Sequence, residues 1–343
     1  MKLKNFPSIF VLVPILIITS CNSTKKSVTN SNDIVTKYMN TITESELKTH
    51  LTIVASDEME GRETGSNGQK KAGQYLISQY IANGVVSPKD ANNYLQTVPK
   101  SYLKSKYNHQ FGDSENVCAF IQGSEKPDEV VVISAHYDHI GIEDGKVFNG
   151  ADDDGSGTVA LLEIAQAFAL AKKAGNGPKR SILFLHVTGE EHGLHGSRYY
   201  TENPLFPLKN TITDVNIDMI GRRDALHKDS NNYIYIIGSN YLSSDLYNIT
   251  EAANKNFTNL QLDYKYNDKQ DPERFYYRSD HYNFAKNGIP SVFLFSGVHE
   301  DYHQETDEVS KIEFDILEKR TKLAFAMIWE LANRANRPIV DKL

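Results

Sequence analysis

The chain has 343 residues, 24% charged and 40% hydrophobic, with a formal net charge of −7. That balance is ordinary for a globular protein, and the length is ample for a large buried core. The acidic excess argues against nucleic acid as a partner, which would want a basic face.

Residues 1–21 differ from the rest. Lys2 and Lys4 give a positive start, and residues 10–18 form a short apolar run interrupted only by Pro14. The run is too short to span a bilayer comfortably, so it predicts a signal peptide and not a membrane helix. Ile18-Thr19-Ser20-Cys21 leads small residues into a cysteine and resembles a bacterial lipobox. It predicts lipidation of Cys21, with residues 22–33 as a flexible polar tether. The alternative is an ordinary cleaved signal with an incidental cysteine. The expected location is the bacterial cell envelope, facing the periplasm, with the membrane touched only through the lipid at Cys21. Removing residues 1–21 takes away Lys2, Lys4 and no acid, so the net charge moves from −7 to −9. Cys118 is the only other cysteine, which leaves no intrachain disulfide framework.

From residue 34 to residue 343 the chain reads as one domain. Apolar positions at helical spacing over 33–54 (Ile34, Val35, Tyr38, Met39, Ile42, Leu47, Leu51, Ile53) predict one or two amphipathic helices. Gly61 and Gly65 then mark a loop, followed by a helix over 68–83. Arg62, inside that loop, is expected to pair with a nearby acid in a structural role. Residues 85–115 read as irregular. Apolar, β-branched runs at 117–121 and 130–135 predict strands, the second buried on both faces. A helix to about 174, a break at 175–178 and a buried strand at 181–187 complete a βαβ unit. Further helices are predicted over 195–201, 242–257 and 311–335, and strands over 213–217, 233–237 and 291–295. The predicted fold is α/β, a single domain with a central mixed, mostly parallel β-sheet flanked by helices.

The most unusual stretch is Asn149-Gly150-Ala151-Asp152-Asp153-Asp154-Gly155-Ser156-Gly157. Three adjacent carboxylates repel unless something positive neutralises them. Taken alone, they read as a solvated acidic turn capping the helix that follows. His136 and Asp138 upstream, Glu190, Glu191 and Asp218 downstream, and His303 near the end shift that reading, because each closes a predicted strand or lies in a loop. α/β sheets place their sites there. His136 and Asp138 are two apart and share a face of an extended backbone, which suits one as metal ligand and the other as the carboxylate holding its imidazole. Glu190 and Glu191 are adjacent and diverge, so one can bind metal while the other handles a proton. Two histidines and three carboxylates without thiolate suit zinc, with manganese or cobalt as possible substitutes. Two cations about 3.5–4 Å apart, bridged by Asp153, would polarise a carbonyl and activate a shared water. The free glutamate would take its proton and pass it to a leaving amine.

His136-Tyr137-Asp138, Gly150 to Gly157, Glu190-Glu191-His192-Gly193-Leu194-His195-Gly196-Ser197, Asp218-Met219-Ile220-Gly221, Ser279-Asp280-His281 and Asp301-Tyr302-His303 occur in this order. The set resembles the di-zinc exopeptidases of peptidase family M28, across roughly residues 45–335. The resemblance implies the zinc exopeptidase fold, two zinc ions per chain and peptide substrates. It assigns Asp153 as the bridge, Glu190 as general base, His136 and Asp218 to one zinc, and Glu191 and His303 to the other. Asp138 becomes the partner of His136, and Asp154 helps position the bridge. His139, His192 and His195 match variable or structural places. Asp280 and His281 are expected to cap and hydrogen-bond. Tyr276 matches a place where some relatives hold a tyrosine that bonds the developing oxyanion, and Tyr277 is an equal choice by composition. Arg278 occupies a place where some secreted relatives have a cysteine.

The leading expectation is an aminopeptidase, since surplus carboxylate favours a substrate ammonium. A carboxypeptidase or dipeptidase would need a cation for the terminal carboxylate, from Arg222, Arg223 or Arg278. A glutaminyl cyclase would work with a single zinc, and a binding domain on a dead scaffold would have lost ligands or the base. Residues 222–275 and 296–302 are expected to wall the side-chain pocket.

Overall fold

The computed structural model describes residues 1–4, 7, 31–104 and 111–342. The predicted signal run, Cys21 and the tether up to residue 30 lie outside the described residues. The last part of that tether is already helical, because α1 begins at Ser31 (Ser31–Met39).

Two helices over 33–54 are realised as α1 and α2 (Glu44–Val54), the latter capped by the Thr43 hydroxyl on the Glu46 amide. Then follow α3 (Asn67–Ala82), β1 (Leu95–Val98), β2 (Ser114–Ile121) and β3 (Lys126–His136). A small hairpin, β4 (Gly141–Glu143) and β5 (Lys146–Phe148), precedes the Asp triplet and α4 (Gly157–Lys173). The second half comprises β6 (Arg180–Val187), α5 (His195–Glu202), β7 (Thr211–Ile217), β8 (Tyr233–Ile237), α6 (Ser244–Ala253), β9 (Gln261–Asp263), α7 (His281–Ala285), β10 (Ser291–Phe295) and α8 (Phe314–Asn333). Sequence periodicity misses β1, β9 and the hairpin, whose three or four residues are too few to show a period.

Eight strands form one sheet in the order β1-β2-β6-β3-β7-β10-β8-β9. The central four, β6-β3-β7-β10, are mutually parallel, and β1, β2 and β8 join antiparallel to their inner neighbours. Val131 and Ile133 of β3 face a core built with α2, α4 and α8, while Val130 and Val132 face Tyr200 of α5 and Phe284 of α7. That alternation explains the unbroken apolar run of a strand covered on both faces. Because the central strands are parallel, their carboxyl ends share one edge, and every predicted ligand lies beyond it.

His186, pointing from β6 into the core with Nε2 2.7 Å from the Tyr80 hydroxyl, is fully buried. Burial pushes its imidazole down to about 3, far below the usual value near 6.5. Below pH ~6.5 the unfolded chain takes up this proton and the folded chain does not, so the contribution is lost as pH falls. Between pH 6.5 and 5 this costs on the order of 2 kcal/mol. Urea midpoints measured across that range are expected to fall less steeply for His186→Gln than for the wild type.

Candidate metal centre

The end of β3 delivers His136, whose backbone carbonyl accepts from the Thr158 hydroxyl of α4 (2.7 Å). Its Nε2 lies 3.1 Å from Asp153 Oδ1 and 3.6 Å from Asp218 Oδ1. The opposite nitrogen, Nδ1, faces the backbone carbonyl of Asp138 at 3.0 Å, with the Asp138 carboxylate farther off at 3.8 Å. That differs from the expected carboxylate–imidazole bond. The Asp138 carboxylate accepts instead from the Thr64 hydroxyl (2.8 Å) and the Glu190 amide (3.2 Å). The extended segment after His136, with the Tyr137 amide donating to the Val187 carbonyl and the His139 amide to the Arg62 carbonyl, leaves the Asp138 carbonyl as the nearer acceptor for the ring. Asp138 therefore ties His136 to the backbone of Glu190.

The Asp triplet is buried, not solvated. Gly150 enters it at φ +51°, and a Cβ there would stand 2.3 Å from the Asp153 carbonyl and 2.5 Å from the His139 ring, so only glycine fits. The two outer carboxylates hold neighbouring loops. Asp152 Oδ1 accepts from the Gly221 amide (2.6 Å), and its Oδ2 lies 3.2 Å from His299 Nε2. Asp154 Oδ1 accepts from the amides of Met219 (3.0 Å) and Gly157 (2.9 Å). The second of those bonds is the helix-capping role that the acidic turn suggested by itself. Asp307, four residues past His303, accepts from the amides of Asp152 and Asp153 at 3.0 to 3.1 Å. Asp218 itself accepts from the Ser279 hydroxyl at 2.6 Å.

Glu191 and His303 meet Asp153 on its other side. His303 Nε2 lies 3.2 Å from Asp153 Oδ2 and 3.1 Å from Glu191 Oε2. His139, set aside by sequence as structural, is fully buried with Nδ1 2.8 Å from Glu191 Oε1 and 3.8 Å from Asp153 Oδ2. It belongs to the cluster, held there by the pairing of the segment after β3 with Arg62 and Glu63. His192 and His195 do not. His192 packs against Phe111, and His195 Nε2 meets the backbone of Lys104.

Burial pushes the Asp153 carboxyl up, but the imidazoles of His136 and His303 beside it outweigh burial and hold the group well below the usual range. Burial also opposes ionisation of Glu191, as does Asp153, yet His139 and His303 bring it down to about 2. Glu190 moves the other way. Burial raises it well above the usual range, with Glu191, Asp218 and Asp280 adding to the rise against His136. Two neighbouring glutamates are thus driven apart, one held as an anion and the other pushed toward its neutral form.

Ligating atoms of His136, Asp153 and Asp218 lie within 4.8 Å of one another, and so do those of His139, Asp153 and Glu191. Asp153 Oδ2, Glu191 Oε1 and His303 Nε2 are buried with no hydrogen-bond partner among the described residues. Such orphaned atoms, all aimed at shared points and free of thiolate, fit two divalent cations that share Asp153.

Glu190 stands between two recesses. A small one, lined by Met219, Phe275, Phe293, Phe295, Val298 and Tyr302 with Arg278 at its edge, reaches Asp153, Glu190 and Asp218. Half of these walls, Met219, Phe293 and Phe295, come from the loop after β7 and from β10, and the other half, Phe275, Val298 and Tyr302, from the expected stretches 222–275 and 296–302. The second is wider, and Tyr277, Arg278, Tyr282 and Tyr302 line it together with Glu190, Glu191 and His303. Tyr276 turns away, its ring 4.2 Å from that of Tyr241. Asp280 accepts from the Ser197 hydroxyl and makes no helix cap. Arg222 is bound to Asp301 (3.0 Å) and Arg223 to Glu313 (2.9 Å), so of the three arginines only Arg278 faces the site.

Arg62 pairs with no carboxylate among the described residues. It is fully buried and donates to the carbonyls of Val54 (2.9 Å), Tyr137 (2.9 Å), Asn149 (2.7 Å) and Gly150 (2.9 Å). Arg62→Met is expected to lower stability by roughly 3–5 kcal/mol, because it orphans those carbonyls and removes a buried cation from among the acids. Urea denaturation in chelator checks this without metal linkage.

The profile of peptidase family M28 matches residues 116–328. A probable zinc metalloprotease of Pyrenophora tritici-repentis is 29% identical over 269 residues, covering 65% of this chain and 52% of that protein. A probable leucine aminopeptidase of Arthroderma otae is 29% identical over 224 residues, covering 63% of this chain and 57% of that protein. The chain spans about half the length of these curated relatives. In fold it is similar to the LapA aminopeptidase of Legionella pneumophila, with TM-score 0.67, 21% identity and coverage of 90% of this chain and 76% of that one. With its sheet, its ligand order and the profile match in agreement, the chain belongs to peptidase family M28.

Proposed function

We propose that the protein is a zinc-dependent aminopeptidase that hydrolyses the N-terminal bond of peptides, with Glu190 as general base. The observation that carries this reading is the two clusters that share Asp153, His136 and Asp218 on one side and Glu191 with His303 and His139 on the other, with Glu190 beside them and in neither. His136 and Asp218 would hold one cation, Glu191 and His303 the other, and Asp153 both. Manganese or cobalt suits the same donors. Bound there, the cations would supply Lewis acidity to the scissile carbonyl and to a water. Asp138 fixes the Glu190 backbone, and Glu190 takes a proton at its carboxylate and returns it to the leaving amine. His139 steadies Glu191 from the buried side. The surplus of carboxylates favours the substrate's ammonium group, and the apolar recess suits its first side chain.

Arg222 and Arg223 are committed to ion pairs, so a carboxypeptidase or dipeptidase would have to take its cation from Arg278, the one of the three that faces the site. Two clusters, not one, weigh against a single-zinc cyclase, and an intact base weighs against a dead scaffold. By the same proposal the mature chain sits in the bacterial envelope, facing the periplasm and lipid-anchored at Cys21. Incorporation of labelled fatty acid is expected in the wild type and lost in Cys21→Ser.

The soluble chain from residue 22 is expected to release p-nitroaniline from leucine or alanine p-nitroanilide, to lose that activity in chelator and to regain it with zinc. Glu190→Gln is expected to lower kcat by about 10²–10⁴ while binding the same two equivalents of zinc. Asp153→Asn is expected to lose both. Undiminished turnover by Glu190→Gln would remove the assigned base.

A further inference from the structure

The wider recess is a cleft of about 510 Å³ lined by both acidic and basic side chains. Glu190 and Glu191 share it with Arg198, Arg278 and Lys286. The three cations come from separate places, α5, the loop before α7 and the residue just after α7, so only the tertiary fold gathers them. In a chain of net charge −7, such a cluster stands against the background.

None of the three makes an ion pair with a described residue. Arg198 is held by the Tyr102 hydroxyl (3.1 Å) and by His195. Arg278 lies over the Phe275 ring with its guanidinium carbon 4.6 Å from the centroid. Burial and then Arg198 lower the Lys286 ammonium, against a pull from Glu202. Cations crowded together in this way make a place for an anion.

Glu190, Arg278 and Tyr302 line both recesses, so the two join at the proton carrier. A peptide whose first side chain fills the apolar recess must send its remainder along the cleft. One residue spans at most about 3.6 Å, so a carboxylate on the first leaving residue stays within the cleft that these cations line.

We propose that this cleft is the leaving-group subsite and that Arg198, Arg278 and Lys286 select a carboxylate there. The proposal rests on the aminopeptidase reading. The carboxylate has two sources, the free C-terminus of a dipeptide or an acidic side chain directly after the cut bond.

The test compares kcat/KM on matched substrates in zinc-loaded protein. Ala-Ala against Ala-Ala amide reports the terminal carboxylate, and Ala-Asp-Ala amide against Ala-Asn-Ala amide reports the side chain. Alanine p-nitroanilide, which carries no carboxylate, is the reference. A preference of about tenfold for the charged member is expected in at least one pair, and the pair that shows it names the source. Lys286→Gln and Arg278→Gln are each expected to cut that preference several-fold, and Lys286→Glu to bring it to one or below. Lys286 is exposed, so its variants test charge and not folding. Equal rates within both pairs, with the p-nitroanilide still turned over, would overturn the subsite and leave the aminopeptidase standing. No turnover of the p-nitroanilide or of any peptide would overturn the aminopeptidase reading and this subsite with it.

Discussion

A single guanidinium sits beneath the acids at the end of the sheet. Arg62 carries its charge fully buried, and although burial works against that charge, Asp307, Asp138, Asp153 and Asp154 all favour it. Its hydrogen bonds go to carbonyls, which dictate position more strictly than a mobile carboxylate would. Val54 ends α2, Tyr137 follows β3, and Asn149 and Gly150 open the Asp triplet. One planar donor thus sets the distance between the strand that carries His136 and the turn that carries Asp153. A lysine, with a compact charge and no planar fork, would not span those acceptors.

From Asp153 outward, the same economy of means recurs. Its two neighbours bind no shared point with it but fasten the loops that deliver the other ligands. Asp154 takes the Met219 amide, Asp152 takes the Gly221 amide, and Asp307 reaches back from the His303 loop to the amides of Asp152 and Asp153. Loops at the end of a sheet are otherwise the variable part of such a fold. A metal centre needs its ligands fixed to a fraction of an ångström, and buried carboxylate-to-amide bonds supply that stiffness.

The site's electrostatics are asymmetric in a way that composition hides. Near the ligand cluster the carboxylates crowd together and make a place suited to cations. The wider cleft beside it adds positive charge, through Arg198, Arg278 and Lys286. The stack of Tyr302 on His303, with ring centroids 3.8 Å apart, stands at the border between the two and closes the apolar recess.

Much of this was legible in the sequence by itself. Apolar periodicity and unbroken β-branched runs give the parallel core strands and their helices, because a strand covered on both faces and a helix with one buried stripe must show those patterns. The motif order gives Asp153, Glu190, Glu191, Asp218, His136 and His303, since each is a chemically restricted residue next to a strand end. Three matters were decided only by tertiary structure. The Asp138 carboxylate serves Glu190 and Thr64 more closely than His136, because its own backbone carbonyl stands nearer the ring. His139 joins the ligand cluster although two other histidines of similar standing do not, and Tyr276 and Tyr277 part company at consecutive positions. Local sequence fixes which residue types are available and how often a face repeats. Which of two neighbouring side chains meets a distant loop depends on chain segments a hundred residues away, and no local pattern carries that distance.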